Sequence, residues 1–289
     1  MKTIVSVSRR TDIPAFYTRW FMNRVRAGWC TYPNPMFPAK ICTVDLTPES
    51  VAGFVFWTRN ARPLLPYLNE LRDRGYAYYI LYTVVNYPRE LDPRSPSPEH
   101  AAETMRRLCN RLGPDPVTWR YDPIILNARG LSPAWHRENF ARLLELLAPS
   151  TATVVLSIVD PYRKTTRRMG NTGDGVVYDP EEYTALLAAL ARQARERGLA
   201  VQSCAETTVD IPDITPGPCV DADLRARLSG EKVSRARHRH RPGCLCHRSV
   251  DIAVNNTCGF GCRYCYATAN HTRALKTLRA HDPNAPSLA

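Results

Sequence analysis

Residues 255–268, NNTCGFGCRYCYAT, set three thiols, Cys258, Cys262 and Cys265, in a C-x3-C-x2-C array on one short loop of a 289-residue chain. Three thiolates at that spacing wrap three corners of a cubane 4Fe-4S cluster and leave its fourth iron without a protein ligand. An iron left open in this way holds a small molecule, and a reduced cluster passes one electron into it. The competing chemistry is a structural zinc site, which takes four protein ligands, with Cys246, His247 or His271 as the fourth. Zinc motifs come mostly as separated cysteine pairs, so a trio on one loop favours the cluster.

Seven of the ten cysteines fall in the last third of the chain. Besides the loop trio they are Cys204, Cys219, Cys244 and Cys246, and four thiols are what a second cluster with only protein ligands needs. The alternatives for these four are small apolar core residues, or zinc held together with His247. Cys42, in an apolar strand, and Cys109, beside Leu108 on a helix, read as core; Cys30, in GWCTYPNP, reads as a loop thiol. Without a secretory leader these thiols belong in a reducing compartment, which argues for metal or redox chemistry over disulfides.

A third group of residues stands where strands are expected to end. The segments SRRTD (8–12), WTRN (57–60) and WRYD (119–122) supply Arg9, Arg10, Asp12, Arg59, Asn60, Arg120 and Asp122. Arginine forks there hold a carboxylate or phosphate, and aspartate orients them or accepts a proton. The alternative is that these charges pair with one another and close the top of the fold. Glu206, in SCAET, and Asp160, in IVDPY, are weaker members of the set. Trp57 and Trp119 either stack on a ligand or belong to the core.

The elements that must position these residues alternate between short apolar runs and amphipathic helices. Strands are expected at 3–8, 41–46, 54–58, 78–85, 117–121, 153–159 and 199–204, with a further one, SVDIAVNN (249–256), just before the cysteine loop. Ser97-Pro98, Ser132-Pro133 and Asp179-Pro180 each put a capping side chain ahead of a proline at the first helical position. Apolar residues then recur at helical spacing, as in Met105, Leu108 and Leu112 or Tyr183, Leu186, Leu187, Leu190 and Ala194, and Gly113 and Gly198 follow as stop signals. A helix is expected in ANHTRALKTLRA after the loop, so the loop is one more strand-to-helix connection.

The fold class is therefore α/β, a full or partial (β/α) TIM-type barrel with function at the strand ends. Residues 1–205 form its body, and residues 249–289 supply a final strand, the cysteine loop and a helix. Between them, 206–248 is an irregular Cys-, Arg- and His-rich segment. Inside that segment RARHRHRPG reads as a solvated basic loop, and earlier MGNTGDG lacks the lysine and hydroxyl of a phosphate loop and reads as a connection before the Asp179 cap.

Composition is that of a globular chain, 44% hydrophobic and 23% charged. It has no apolar run long enough to span a membrane and no signal peptide, which implies a cytoplasmic protein. A formal net charge of +12 permits an anionic partner, nucleic acid included, although arginines spread along helices such as ARQARERG account for much of it.

The loop, with Tyr264 before its third cysteine and a strand ahead of it, resembles the cluster motif of radical S-adenosylmethionine (SAM) enzymes. The resemblance implies that Cys258, Cys262 and Cys265 bind a 4Fe-4S cluster whose open iron chelates SAM, and that Tyr264 lies beside the adenine. One-electron reduction of the sulfonium then releases a 5′-deoxyadenosyl radical that abstracts hydrogen from a small-molecule or peptide substrate, with an external electron donor. The chain as a whole is similar to the bacterial family called domain of unknown function 1848, from SRRTDIPAFY through VFWTRN, WRYDPI and CAE to DIAVNNTCGFGCRYCYA.

In radical SAM enzymes the cysteine loop follows the first barrel strand, and a glycine-rich turn ending in glutamate follows the second. Here the loop comes last and that turn is not evident. A barrel is cyclic, so a final strand lying beside the first gives a circular permutation, with SRRTD at the methionine-binding turn and Arg9, Arg10 or Asp12 on SAM. Two other classes remain open: an iron–sulfur electron-transfer or sensing protein that never cleaves SAM, and a metal-dependent nucleic-acid-acting protein, to which the charge and the YCY likeness to radical SAM DNA-repair lyases point.

Overall fold

The computed structural model describes residues 2–127, 129–170, 175–206 and 211–289. Among them the strands are β1 (Thr3–Val7), β2 (Trp29–Pro33), β3 (Ile41–Asp45), β4 (Val51–Thr58), β5 (Tyr78–Thr83), β6 (Val117–Ile124), β7 (Thr153–Ile158), β8 (Ala200–Ser203), β9 (Thr215–Pro216) and β10 (Ser249–Asp251). Eight of them make one sheet in the order β10-β1-β4-β5-β6-β7-β8-β9. Every neighbouring pair in it is parallel. The α/β class holds, and the last strand lies beside the first.

The expected strand at 41–46 exists but stays outside this sheet, because β3 pairs antiparallel with β2 in a separate ribbon. The burial pattern gives the reason. Ile41, Thr43 and Asp45 face solvent while Val44 is buried, whereas all of Val51–Thr58 is buried. Parallel strands covered on both faces need the continuous apolar run, and a one-sided strand suits an antiparallel ribbon. Cys30 is a buried strand residue here, not a loop thiol, and Cys42 and Cys109 are only half-buried.

The expected strand at 249–256 shortens to three residues, since the Asp251 carboxylate turns back to accept the Ala253 N–H at 3.2 Å. An aspartate that satisfies a backbone donor two residues on ends a strand in a turn. The 206–248 segment is less irregular than its composition implies. It contains β9 and the helix Ala222–Ser229, capped by Asp221, which accepts from the N–H groups of Asp223 and Leu224. Only Ala222 and Arg225 of that helix are buried, so it carries little apolar periodicity to read.

The other helix signals act as the residues dictate. Ser97, Ser132 and Asp179 each accept a first-turn N–H, and each is followed by proline. The apolar sides of these helices, Met105 and Leu108 or Tyr183, Leu186, Leu187 and Leu190, pack on the sheet face that carries Phe54, Phe56, Ile80, Trp119, Tyr121 and Leu156. Trp119 is core, with its indole N–H donating to the Val84 carbonyl at 3.0 Å. Alternation along the strands sends Val55, Trp57, Tyr79, Leu81 and Val155 to the opposite face, where they meet Cys204, Cys219, Cys244 and Cys246. The described part of the 206–248 segment, from 211 on, thus covers the second face of the sheet. The Tyr79 hydroxyl fastens it there, donating to the Cys219 carbonyl at 2.8 Å and accepting the Asp221 N–H at 2.7 Å.

Candidate functional site

Strand β10 enters the site in register with β1, Ser249 beside Ile4 and Asp251 beside Ser6. Parallel pairing brings the start of the cysteine loop to the same sheet end as Ser8, Arg9 and Arg10. Asp251 gathers these groups. It accepts from the Ser6 and Ser8 hydroxyls, each at 2.9 Å, from the Arg9 N–H at 3.0 Å and from Arg10 Nε at 3.2 Å. Burial opposes its charge, but Arg10 and Arg9 hold the carboxyl below its ordinary range. Sequence reasoning missed Asp251. The available signal was an acid in an apolar strand directly before the loop, where a buried carboxylate needs cationic partners.

The loop itself is held by its carbonyls. The Tyr17 hydroxyl donates to Thr257 at 2.7 Å, Arg94 Nη1 to Gly259 at 3.1 Å, and Arg168 to both Cys265 and Thr268. Gly261 adopts φ +80°, a conformation that favours glycine, and a Cβ there would press on the tip of the Arg94 side chain, 2.8 Å from Nη1. Phe260 closes the apolar side, edge-on to Phe16 with ring centroids 4.6 Å apart.

Cys262 sits in a buried polar knot. Its sulfur donates to Asp92 Oδ1 at 3.1 Å, while Asp92 Oδ2 pairs with Arg59 Nη1 at 2.5 Å and accepts the Tyr264 hydroxyl at 2.8 Å. Arg59 Nη2 donates to the same hydroxyl at 2.7 Å. Asp12 caps the helix Ile13–Phe16 and also receives the Arg59 N–H at 2.6 Å and the Thr58 hydroxyl at 2.8 Å. Burial nonetheless pushes its carboxyl up to about 7. Asp92 went unnoticed in the sequence, because it lies in a loop, 91–95, with no motif around it. Beside the knot opens a cavity of about 150 Å³ lined by Arg59, Thr83, Asn86, Asp92 and Ser95.

Two of the loop thiols feel the charge of their neighbours. Burial first, then Cys265 and Asp12, push the Cys258 thiol up to about 12; burial likewise raises Cys262, with Cys258 and Cys265 adding to it and Arg59 opposing. Among the described residues no three His, Cys, Asp or Glu side chains are already arranged around a metal position. The donor chemistry nevertheless fits a three-thiolate cluster, since soft thiolates select iron–sulfur centres and zinc. The residues considered as a fourth zinc ligand each make a hydrogen bond of their own, while His271 keeps its Nδ1 buried without a partner. His271 Nε2 lies 3.2 Å from Arg168 Nη1, His247 Nδ1 faces the Ala222 N–H at 3.1 Å, and the Cys246 sulfur accepts the Val220 N–H at 3.4 Å.

The remaining strand-end residues divide. Arg120 pairs with Asp122 and lies 4.6 Å over the Trp57 ring, which Arg9 approaches at 6.0 Å. Trp57 thus joins the cations at this end, its indole N–H donating to the Ser6 hydroxyl at 3.0 Å. Asn60 is not brought in, because its side chain accepts the Arg62 N–H at 3.1 Å and serves the following turn. Asp160 pairs with Arg241, and Glu206 accepts from the Ser157 hydroxyl and the Ile158 N–H. Arg241 corrects the reading of RARHRHRPG as solvated throughout: its side chain is 21% exposed against 76% for Arg235. Of MGNTGDG, Met169 and Gly170 end the helix Arg163–Gly170, and 171–174 lie outside the described residues.

The family model for Domain of unknown function (DUF1848) matches residues 4–267. The chain belongs to this family. That span of the DUF1848 protein takes in every residue of the knot and all three cysteines of the loop. No curated protein matches the chain. Similar solved structures include a family 2 AP endonuclease from Brucella melitensis, 13% identical over 80% of this chain and 90% of that one, TM-score 0.33. An HpcH/HpaI aldolase from Desulfitobacterium hafniense is 10% identical over 75% and 86%, TM-score 0.28. A short-chain type dehydrogenase/reductase from Mycobacterium marinum is 9% identical over 70% and 72%, TM-score 0.27. Likenesses this weak carry no argument about this DUF1848 chain.

The second set of thiols converges as well. Cys204 and Cys219 place their sulfurs 3.1 Å apart, and hydrogen bonds between free thiols link Cys219 with Cys246 and Cys246 with Cys244. All four are buried. Tyr162, near Cys204 and Cys244, has its ring 5.5 Å from that of Tyr266, near Cys265. The two thiol sets therefore flank one aromatic pair.

Proposed function

We propose that this DUF1848 protein is a radical SAM-like iron–sulfur enzyme that holds a 4Fe-4S cluster through Cys258, Cys262 and Cys265 and cleaves SAM reductively to act on a small-molecule or peptide substrate. The observation that carries the reading is a loop of three thiols clamped through its carbonyls by Tyr17, Arg94 and Arg168, at the sheet end where Arg9 and Arg10 gather on Asp251. A site of three thiolates is an open one, whereas electron carriers close the cluster with a fourth. When bound, such a cluster would chelate SAM and supply the electron that breaks its sulfonium bond.

In this reading the sheet is a full or partial (β/α) barrel, circularly permuted so that β10 takes the part of the usual first strand. Its parallel pairing with β1 supports that assignment. Arg59 offsets thiolate charge at Cys262, and its ion pair with Asp92 holds Tyr264 by the hydroxyl and so fixes the plane of the ring. Arg9 and Arg10, oriented by Asp251, present guanidinium groups suited to a carboxylate, which a fork of donors recognises at two oxygens. The clamps on the loop carbonyls keep its backbone in place while an iron is left open for ligand.

Anaerobic reconstitution with iron and sulfide, then dithionite and SAM, tests the proposal. 5′-Deoxyadenosine is the expected product; an intact, reducible cluster that yields none overturns it. A nucleic-acid substrate is favoured by one observation, the exposed Tyr162 and Tyr266 rings beside a chain of net charge +12, since stacked aromatics in a basic setting suit single-stranded bases. Binding to oligonucleotides that weakens steeply with salt is the expected outcome for that substrate class, and its absence removes it.

A further inference from the structure

The geometry points to a second metal centre, closed by the four thiolates of Cys204, Cys219, Cys244 and Cys246 and lying on the sheet face opposite the main helices. Three separated stretches of chain deliver these sulfurs: the end of β8, the loop before the helix Ala222–Ser229, and the Cys-x-Cys turn before β10. Each thiol meets another of the set, through the 3.1 Å approach of Cys204 to Cys219 and the hydrogen bonds that link Cys219 with Cys246 and Cys246 with Cys244. Four sulfurs bound at about 2.3 Å around one tetrahedral ion stand roughly 3.8 Å apart, so Cys204 and Cys219, at 3.1 Å, would part slightly to ligate one ion.

The surroundings are those of anionic sulfur. The Val220 N–H donates to Cys246 Sγ at 3.4 Å, and backbone N–H groups of His240 and Cys246 donate to Cys244. Arg241 reaches Cys204 with Nη2, 3.7 Å from the sulfur and 2.9 Å from its carbonyl, and is fixed by Asp160 and by the Ser157 hydroxyl at 3.0 Å. Arg120 acts on Cys219 from the sheet side, and its Nε is buried without a partner. Cationic groups and amide donors placed around four neutral thiols gain little. Around a metal tetrathiolate, which carries net negative charge, they offset that charge and orient the ligands.

A centre with all positions filled by protein cannot chelate substrate, so its part is to hold the 206–248 segment on the sheet or to pass electrons. Occupation is balanced: four S–H bonds lose their protons to solvent as four metal–sulfur bonds form, with no change of oxidation state for zinc or ferrous iron. A 4Fe-4S cluster is mixed-valent, so its assembly takes ferric as well as ferrous iron, and sulfide, from solution.

The variant C258A/C262A/C265A isolates this centre, so its outcome does not depend on the reading of the first loop. After anaerobic purification and loading with zinc, or with iron and sulfide, circular dichroism checks the fold and elemental analysis counts the metal. The expected result is a tightly held centre per chain that C204S/C246S in the same background loses. Zinc alone without a visible spectrum identifies a structural ion; thiolate-to-iron absorbance and acid-labile sulfide identify a cluster; iron without sulfide identifies a mononuclear centre. A folded triple variant that retains no metal under any of these loadings overturns the inference, as does an unchanged metal content after C204S/C246S.

Discussion

The Asp92 carboxylate lies 3.1 Å from the Cys262 sulfur across a sequence separation of 170 residues, and its other oxygen is 2.5 Å from Arg59. The first contact ties the cysteine loop to the body of the fold, and the second makes Asp92 the counter-charge of a buried guanidinium. Asp92→Ala strands that charge, at a cost of about 3–5 kcal/mol. Urea unfolding of the metal-free protein measures it, and a change below about 0.5 kcal/mol, the range of ordinary surface substitutions, contradicts the pairing.

Asp251 is expected to fasten the loop strand to β1. It holds Ser6, Ser8, Arg9 and Arg10 at once, so Asp251→Ala leaves two half-buried arginines without their anion. Stability should fall by about 2–5 kcal/mol. Hydrogen exchange should rise first in β10 and β1; protection unchanged in both strands counts against this role.

His136 makes the fold sensitive to acid. Its Nε2–H donates to the Ile125 carbonyl at 2.8 Å and its Nδ1 accepts the Tyr121 hydroxyl at 2.7 Å, a pattern that only the neutral ring satisfies. Burial lowers its pKa to about 4 from an ordinary 6.5. Because the folded value is depressed, the unfolded chain takes up the proton first. The contribution of the neutral ring is complete above 6.5 and is lost as pH falls toward 4, about 3 kcal/mol in total. Denaturation from pH 8 to 4 should show this slope in the wild type and a flatter one in His136→Gln; equal slopes dismiss the assignment.

Gly53 in β4 has no room for a side chain. A Cβ there would stand 2.8 Å from the Ala77 carbonyl and 2.3 Å from Arg225 Nε. Gly53→Ala should destabilise by about 1–3 kcal/mol, the usual range for forcing atoms into a packed interior. Thermal unfolding reads it, and an unaltered midpoint shows that Arg225 moves aside freely.

Much of the architecture was legible in the residues. Ser97, Ser132 and Asp179 announce their helices, because a capping oxygen followed by proline is a local device that owes nothing to distant contacts. The apolar run at 54–58 announces a strand, which the structure extends to Val51–Thr58 and buries on both faces. Ile41–Asp45 misled, since five residues of mixed polarity do not reveal whether the partner will be a parallel sheet or an antiparallel ribbon. The helix Ala222–Ser229 was hidden for a related reason: it buries an alanine and an arginine, and no apolar stripe marks it.

The site divides in the same way. Spacing alone put three thiols on one loop, because a ligand set spanning eight residues is fixed by the chain itself. Its strand's place beside β1, the capture of Arg9 and Arg10 by Asp251, and the meeting of Cys204, Cys219, Cys244 and Cys246 were decided only by the tertiary structure. Asp92 and Arg241 stand in stretches without periodicity or motif, and what makes them partners of Arg59 and Asp160 is a shared burial that neither local sequence encodes. Charges separated by scores of residues find each other because the sheet brings strand ends to one rim, where an unpaired buried ion costs several kcal/mol.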